Sequence, residues 1–376
     1  MHANDRKRVL IIGGGPAACA SALALLQSGP DPELDVNMVF SGPRAGQPDV
    51  GETIPPAATP VLRELGLNGL LQQDPHLICP GSLSVWGDDK PGHNDFLLRP
   101  VGCGFHLDRS AFDARLRHHA AGLGCRLESG WRLRKVESRS RGHRLAFHDG
   151  QNLQWEQADF VIDASGIGAA FARRIGIARN LVDEVIALCA LLPAKAQTRP
   201  AHTLIQAVEK GWWYAGRLPG DRAIVSLTTD TETSKASALS TPKAWHRALQ
   251  ETRWFSRQCR HHFGTDTPRP AAIHPKPMPS AILSAVVGED WLAVGDAASS
   301  YDAMSSAGIT KALMHGQIAG RALATYLRDA DTSALAAYQD RVFQDFNTYL
   351  GLHQQHYRAE RRFPHSRFWQ RRRLGR

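Results

Sequence analysis

The chain opens on an apolar run, 8–12, that ends in Gly13-Gly14-Gly15-Pro16-Ala17-Ala18. Small and apolar residues continue from there to Leu26 without a breaker, and a second apolar run covers 34–40. Strand, tight turn, helix and strand in that order predict a βαβ unit. Helical spacing returns over 108–123, through Phe112, Leu116 and His119, followed by strand-like segments at 125–128, 132–138 and 145–148. A buried-type strand over 159–163 ends in Ala-Ser-Gly. Alternating apolar residues over 181–192, 203–208, 211–218 and 223–229 predict an antiparallel sheet with one covered face. An amphipathic helix over 241–260, a buried strand over 291–296 and long helices over 308–327 and 333–356 complete the pattern.

Nucleotide-fold pieces therefore stand at the start, middle and end of the chain, and the sheet-rich part lies between them. The expected fold class is α/β. A discontinuous Rossmann-like, dinucleotide-binding domain covers 1–75, 100–180 and 285–330. An antiparallel-sheet substrate domain covers 76–99 and 181–284. A helical, arginine-rich extension covers 331–376.

The turn Gly13-x-Gly15-x-x-Ala18 follows a strand and opens a helix, which is the setting of a dinucleotide site. Gly13 permits the tight turn and Gly15 lets backbone approach a pyrophosphate. Ala18 allows close helix–strand packing, and the helix N-terminus at Pro16 and Ala17 faces the phosphates. A plain glycine turn is the alternative. The acidic residue expected at the end of the second strand is missing. The chain reads Val39-Phe40-Ser41-Gly42-Pro43-Arg44, which leaves Ser41 for a ribose hydroxyl and Arg44 for a phosphate.

Length and composition exclude other classes. At 376 residues, with 43% hydrophobic and 22% charged residues, the chain suits a folded protein of one or two domains. The longest apolar stretch is broken by glycine and proline, so no membrane span is expected. No signal peptide is expected either, and six scattered cysteines without a CxxC predict reduced thiols and a cytoplasmic protein. No metal site is expected. The net charge of +9 is concentrated after Tyr357, which suggests an acidic partner or merely a solvated end.

Three further segments point to one superfamily. Asp108-Arg109-Ser110-x-Phe112-Asp113 resembles the segment of two-domain flavoprotein hydroxylases in which an arginine reaches the flavin. Val294-Gly295-Asp296-Ala297-Ala298 resembles their second fingerprint, whose aspartate bonds the ribityl chain. Gly51-Glu52-Thr53-Ile54-Pro55-Pro56, Gly211-Trp212-Trp213-Tyr214 and Asp302-Ala303-Met304-Ser305-Ser306-Ala307-Gly308 are similar to segments of flavin-dependent halogenases and their relatives. The segment 357–373, with Glu360-Arg361-Arg362-Phe363-Pro364 and Phe368-Trp369-x-Arg371-Arg372, resembles the tail of one subgroup. That subgroup is the flavoprotein maturases that modify a tryptophan of a partner protein in tryptophylquinone biogenesis.

The resemblance implies non-covalent FAD, dioxygen as co-substrate and an external electron donor or reductase. It implies a monooxygenase that acts through a flavin C4a-hydroperoxide on a tryptophan of an acidic precursor polypeptide. Cofactor contacts are expected from Gly13, Gly15, Pro16, Ala17, Ala18, Ser41, Arg44, Glu52, Thr53, Arg109, Ala164, Gly166 and Asp296, and from Ser305, Ser306, Ala307, Gly308 and Ile309. Glu52 is a candidate base or a flavin-positioning residue, and His106 a candidate catalytic group or a structural histidine. Trp212 and Trp213 alternate across a strand. Trp213 or Tyr214 is expected to stack on the aromatic substrate, against the alternative of a core pair, and Arg371, Arg372 and Arg373 to hold the partner. Neither the lysine nor the glutamate of tryptophan halogenases has a counterpart. No lysine occurs between Glu52 and Lys90, and Ser305 stands at the glutamate position. Asp163-Ala164-Ser165-Gly166 replaces the Asp-Gly pair used around NADPH, which argues against direct nicotinamide binding. A halogenase of a carrier- or peptide-bound aromatic, and a flavin-bearing chaperone without chemistry, are the rival readings.

Overall fold

A computed structural model describes residues 6–29, 34–42, 53–73, 75–96, 102–195, 200–264 and 267–374. The predicted βαβ unit is the centre of a five-stranded parallel sheet. Its order is Trp291–Ala293, Phe160–Asp163, Lys7–Ile12, Leu34–Phe40 and Arg126–Ser129. Lys7–Ile12 is buried from Val9 onward, between its two strand neighbours and with helix Pro16–Gln27 packed against it. The fold is α/β, as the sequence predicts.

The second main layer is an eight-stranded sheet in the order Ser299–Ser300, His274–Leu283, Arg179–Pro193, Arg222–Thr229, Gly211–Leu218, Thr203–Val208, Gly81–Val85 and Gly92–Asp95. Its pairs are antiparallel except Thr203–Val208 with Gly81–Val85. Two three-stranded sheets flank the main layers. One is built on His143–His148 and the other on Gly104–His106, which pairs with Thr53–Ile54 and Leu77–Cys79.

Two departures from the sequence expectation shape the large sheet. The single helix over 241–260 is two helices, Pro242–Gln250 and Arg253–Phe263. Thr252 separates them, with extended backbone and a hydroxyl that donates to the Leu249 carbonyl at 2.6 Å. Their apolar faces, through Trp245, Leu249, Phe255, Cys259 and Phe263, cover the back of the large sheet. The strand His274–Leu283 is absent from the sequence reading because Pro275, Pro277 and Pro279 interrupt it. On alternate positions the prolines withhold donors from one edge of a strand only. That strand's second neighbour reaches only Ala281 and Ile282.

Helix Pro16–Gln27 packs closely against helix Gly308–Asp329. A Cβ at Gly316 would lie 2.5 Å from the Ala17 carbonyl oxygen, and one at Gly320 2.5 Å from that of Ser21. This contact brings the start of each helix to the same end of the parallel sheet. No helix of the described residues is long and apolar enough to cross a membrane.

Candidate active site

Two neighbouring cavities lie between the sheets. The first, about 580 Å³, is lined by Gly13, Gly14, Gly15, Ser41, Gly42, Ala164 and Gly166, among others. The turn is shaped by what its glycines touch. Gly13 has φ of +127°, and a Cβ there would come within 2.2 Å of the Ala164 carbonyl oxygen. A Cβ on Gly14 would strike the Phe40 ring. At Gly15 nothing lies within 4 Å, so its open side faces the cavity. No side chain caps the helix that starts there. Its unpaired N–H groups and positive end suit a pyrophosphate.

Helix Arg109–Gly122 forms the opposite wall. Asp108 caps it by accepting from the Ala111 N–H at 2.9 Å. Arg109, Asp113 and Arg117 all line the cavity, one turn apart each on one helix face. Arg109 pairs with Asp113 at 3.0 Å. Arg117 donates to the Gly14 carbonyl at 2.8 Å and lies over the Phe40 ring. The sequence reading missed Arg117, although its helical spacing from Arg109 carried the signal. Asp35 pairs with Arg126, on the outside of the sheet. Asp163 is fully buried, which pushes its carboxyl up. It accepts from the Ser165 hydroxyl and from the Phe171 and Ala172 N–H groups. That carboxylate is committed to shaping the turn after its strand.

The second cavity, about 480 Å³, shares Arg109 and Lys276 with the first. Pro16, Thr53, Asp296, Ser306, Gly308 and Ile309 line it on the nucleotide-fold side. On the large sheet its wall is Trp212, Tyr214, Ile224, Ser226 and Thr228, with Met278 beyond. Trp212 pairs across strands with Thr228, and Tyr214 with Ser226, so these side chains share one face. The buried Thr228 hydroxyl has no hydrogen-bond partner on that wall.

Behind Tyr214 runs a chain of hydrogen bonds. Its hydroxyl is 2.9 Å from Thr53 Oγ1, which is 3.0 Å from His106 Nδ1. His106 Nε2 is 2.8 Å from the Ala201 carbonyl oxygen. His106 is completely buried, and burial pushes its pKa down to about 4.

A second chain anchors the loop before helix Gly308–Asp329. Trp212 Nε1 donates to the Tyr357 hydroxyl at 3.0 Å, and Tyr357 donates to Asp302 at 2.6 Å. Burial opposes the charge of Asp302. His353 and Tyr357 outweigh it and hold the carboxyl below its usual range. Asp296 accepts from the buried Lys311 ammonium at 2.8 Å, which also bonds the Ser299 carbonyl.

The structure gathers Gly13, Gly15, Pro16, Ser41, Thr53, Arg109, Ala164, Gly166, Asp296, Ser306, Gly308, Ile309 and Tyr214 around the two cavities. It places others elsewhere. Ala17 and Ala18 are buried in helix packing. Ser305 and Ala307 line a separate cavity of about 340 Å³ between helices Gly308–Asp329 and Ser333–Ala359. Trp213 points away from the substrate side, packed edge-on against Trp245 with ring centroids 5.0 Å apart. The member of the tryptophan pair on the cavity is Trp212. His106 lies behind Thr53, off the cavity wall. Arg44 and Glu52 fall outside the described residues.

The arginine-rich end is not a solvated arm. Helix Arg367–Leu374 docks through the buried Phe368 and Trp369. Arg372 is 7% exposed and forms a two-pronged pair with Asp183 at 2.7 and 3.0 Å. Arg371 pairs with Asp230 and Glu232, and Arg373 donates to the Phe363 carbonyl. These contacts turn the three residues inward, against their expected role on a partner. Arg372→Ala should lower stability by about 3–5 kcal/mol, because it strands Asp183 in a poorly solvated site. Arg371→Ala, at a more exposed pair, should cost about 1 kcal/mol or less. Urea denaturation of both variants tests this, and equal losses would refute it.

The chain is 28% identical over 366 residues to LodB of Marinomonas mediterranea, a protein named as an FAD-dependent oxidoreductase, with 96% of each chain covered. Among solved structures it is similar to CmlS, a flavin-dependent halogenase, with a TM-score of 0.83 and 22% identity, over 99% of this chain and 68% of that one. It is also similar to QhpG, a peptidyl tryptophan dihydroxylase essential for tryptophylquinone cofactor biogenesis. There the TM-score is 0.78 and the identity 25%, over 98% of this chain and 78% of that one. The glycine turn with its open face, the uncapped helix start and the cationic wall of Arg109 and Arg117 fit FAD, the cofactor in LodB's printed name. The tryptophan halogenase family model matches residues 89–376, and the chain belongs to that family of FAD-dependent oxidoreductases.

Proposed function

We propose that the chain is an FAD-dependent monooxygenase that hydroxylates a tryptophan side chain of a partner polypeptide, in the biogenesis of a protein-derived quinone cofactor. The likeness to QhpG along 98% of the chain carries this reading. The cavity wall agrees with it, since Trp212, Tyr214 and Met278 offer an apolar surface for a flat ring. Lys90, the first lysine after Glu52, sits on the exposed turn between strands Gly81–Val85 and Gly92–Asp95, away from that wall.

Gly13, Gly15, Ser41, Arg109 and Arg117 would hold the nucleotide end of FAD, and Asp296 the ribityl chain, oriented by Lys311. The start of helix Gly308–Asp329 would stabilise negative charge on the reduced ring. When bound, reduced FAD supplies the activation of dioxygen and the oxygen that is transferred. The apolar wall excludes water from the substrate ring and fixes its plane. A reductase supplies electrons from outside, in keeping with the commitment of Asp163 to its own turn. The six cysteines are free thiols, which suits a reducing cytoplasm.

The second reading, halogenation of a carrier- or peptide-bound aromatic, has one observation in its favour. Lys276, missed in the sequence, lines both cavities. Turnover separates the two. Reduced protein, dioxygen and a tryptophan-containing precursor should give a polypeptide heavier by one or two oxygen atoms, whether or not bromide is present. A brominated product would establish the second reading. Oxidation of free tryptophan at the same rate would refute a polypeptide substrate.

A further inference from the structure

An aromatic bridge joins the second cavity to the outer surface. Trp212 stands on the cavity wall, and Trp86 is half-buried just after strand Gly81–Val85. Their ring centroids are 6.4 Å apart, and that of Tyr357 lies 6.0 Å from Trp86. Tyr357 is also bonded to Trp212, and its bonds have a fixed direction. An indole N–H can only donate, so Trp212 donates to the Tyr357 oxygen at 3.0 Å. Tyr357 has one proton and gives it to the Asp302 carboxylate at 2.6 Å. A phenol that loses an electron must also lose its proton, and here an ionised carboxylate already holds that proton in a short bond. The other tryptophan cluster lacks these parts. Trp213 packs on Trp245, whose N–H donates to the Leu188 carbonyl, and both lie buried under two helices.

We propose that Trp212, Tyr357 and Trp86 form an electron relay that carries one oxidising equivalent from the flavin cavity to the protein surface. A one-electron oxidant formed from dioxygen in the cavity is reduced by Trp212, which is left as a radical cation. Tyr357 refills Trp212. Its O–H bond breaks as its electron leaves, the proton forms an O–H bond on Asp302, and a neutral tyrosyl radical remains. The buried pair of Tyr357 and Asp302 thus passes from one negative charge to none, a change that burial favours. Trp86 then returns an electron to Tyr357, and the proton goes back from Asp302. A thiol or ascorbate in solution reduces Trp86 at the surface. The relay leaves the cavity wall intact when oxygen is activated without substrate. It needs a flavin in the cavity but not the monooxygenase reading, so a brominated precursor would refute that reading and leave the relay standing.

The test illuminates the FAD-loaded protein with blue light in the presence of hexaamminecobalt(III), which takes the electron from the flavin and does not return it. Electron paramagnetic resonance of the frozen sample should show a tyrosyl radical in the wild type and lose it in Tyr357→Phe. The signal should build up more slowly in heavy water, since an O–H bond breaks in the step that forms it. Peptide mapping after longer illumination in air should find added oxygen on Trp86 ahead of Trp155. That residue is also half-buried, but it lies on the outer three-stranded sheet beside Arg144 and Lys135. Trp212→Phe should remove the oxidation of Trp86. Trp86→Phe, a change at a half-buried site, should move the oxidation inward to Trp212 and Tyr357. The relay would be overturned by the absence of a tyrosyl signal in the wild type, by one that survives Tyr357→Phe, or by Trp155 oxidised as fast as Trp86. Equal rates in light and heavy water would overturn the proton transfer to Asp302.

Discussion

Replacing Gly15 with glutamate is expected to give a folded protein that no longer retains FAD. Gly15 has φ of −91°, a conformation open to any residue, and a Cβ there meets nothing within 4 Å. The apo fold therefore has no reason to object to a side chain. The added carboxylate projects toward the space in front of the uncapped helix, where it displaces and repels a pyrophosphate. Affinity should fall by at least about a hundredfold, roughly 2.7 kcal/mol or more. Gly13→Ala should behave differently, because the clash with the Ala164 carbonyl and the positive φ strain the fold itself. Flavin absorbance after gel filtration, set beside a thermal melt, distinguishes the two. A yellow Gly15→Glu protein would place the nucleotide elsewhere.

Acidification should begin to weaken the fold above the pH range in which its carboxylates titrate. The pKa of His106 in the fold is pushed down to about 4, against 6.5 in an unfolded chain. Between those values the unfolded state binds a proton that the folded state refuses, so stability falls as pH drops through that window. At pH 4 this one histidine accounts for about 3 kcal/mol. His262, also held near 4 by burial and by its histidine neighbours, acts in the same direction. Asp302 adds to the loss lower down, since its depressed pKa makes its contribution vanish once the carboxyl is protonated. Urea unfolding from pH 7 to pH 4 measures the slope. His106→Gln keeps both hydrogen-bonding partners without the titration, and should remove about 3 kcal/mol of the pH dependence. A variant as acid-sensitive as the wild type would show that His106 is not held neutral.

The nucleotide half of the site was legible because its signals are local. A glycine turn between a strand and a helix constrains its own backbone, and Gly13 and Gly15 stand where the motif puts them. The substrate half was not, because its signals depend on which face of a strand looks inward. Alternation showed that Trp212 and Trp213 diverge, but only helices Pro242–Gln250 and Arg253–Phe263, packed on one side, decide that Trp213 belongs to the core. Lys276 was hidden in a proline-rich strand that propensity rejects. The arginine-rich tail misled by composition. Charge alone reads as a solvated surface, whereas Asp183, Asp230 and Glu232 lie far away in sequence and neutralise it only in the fold.

The close contact of helices Pro16–Gln27 and Gly308–Asp329 has an electrostatic side. Gly316 meets Ala17 and Gly320 meets Ser21, so the two helices run in the same direction. Their macrodipoles are aligned, and like poles point to the cavity end. Neither start carries a side-chain cap, and neither has an acidic residue in its first turn. The protein alone thus presents two positive ends toward the cavities, the start at Gly308 lying about two turns beyond the start at Pro16. An anionic dinucleotide at the glycine turn answers the first of them, so its binding favours the folded state. Occupancy and folding are then one linked quantity. A ligand at a hundred times its dissociation constant adds about 2.7 kcal/mol to the stability of the fold.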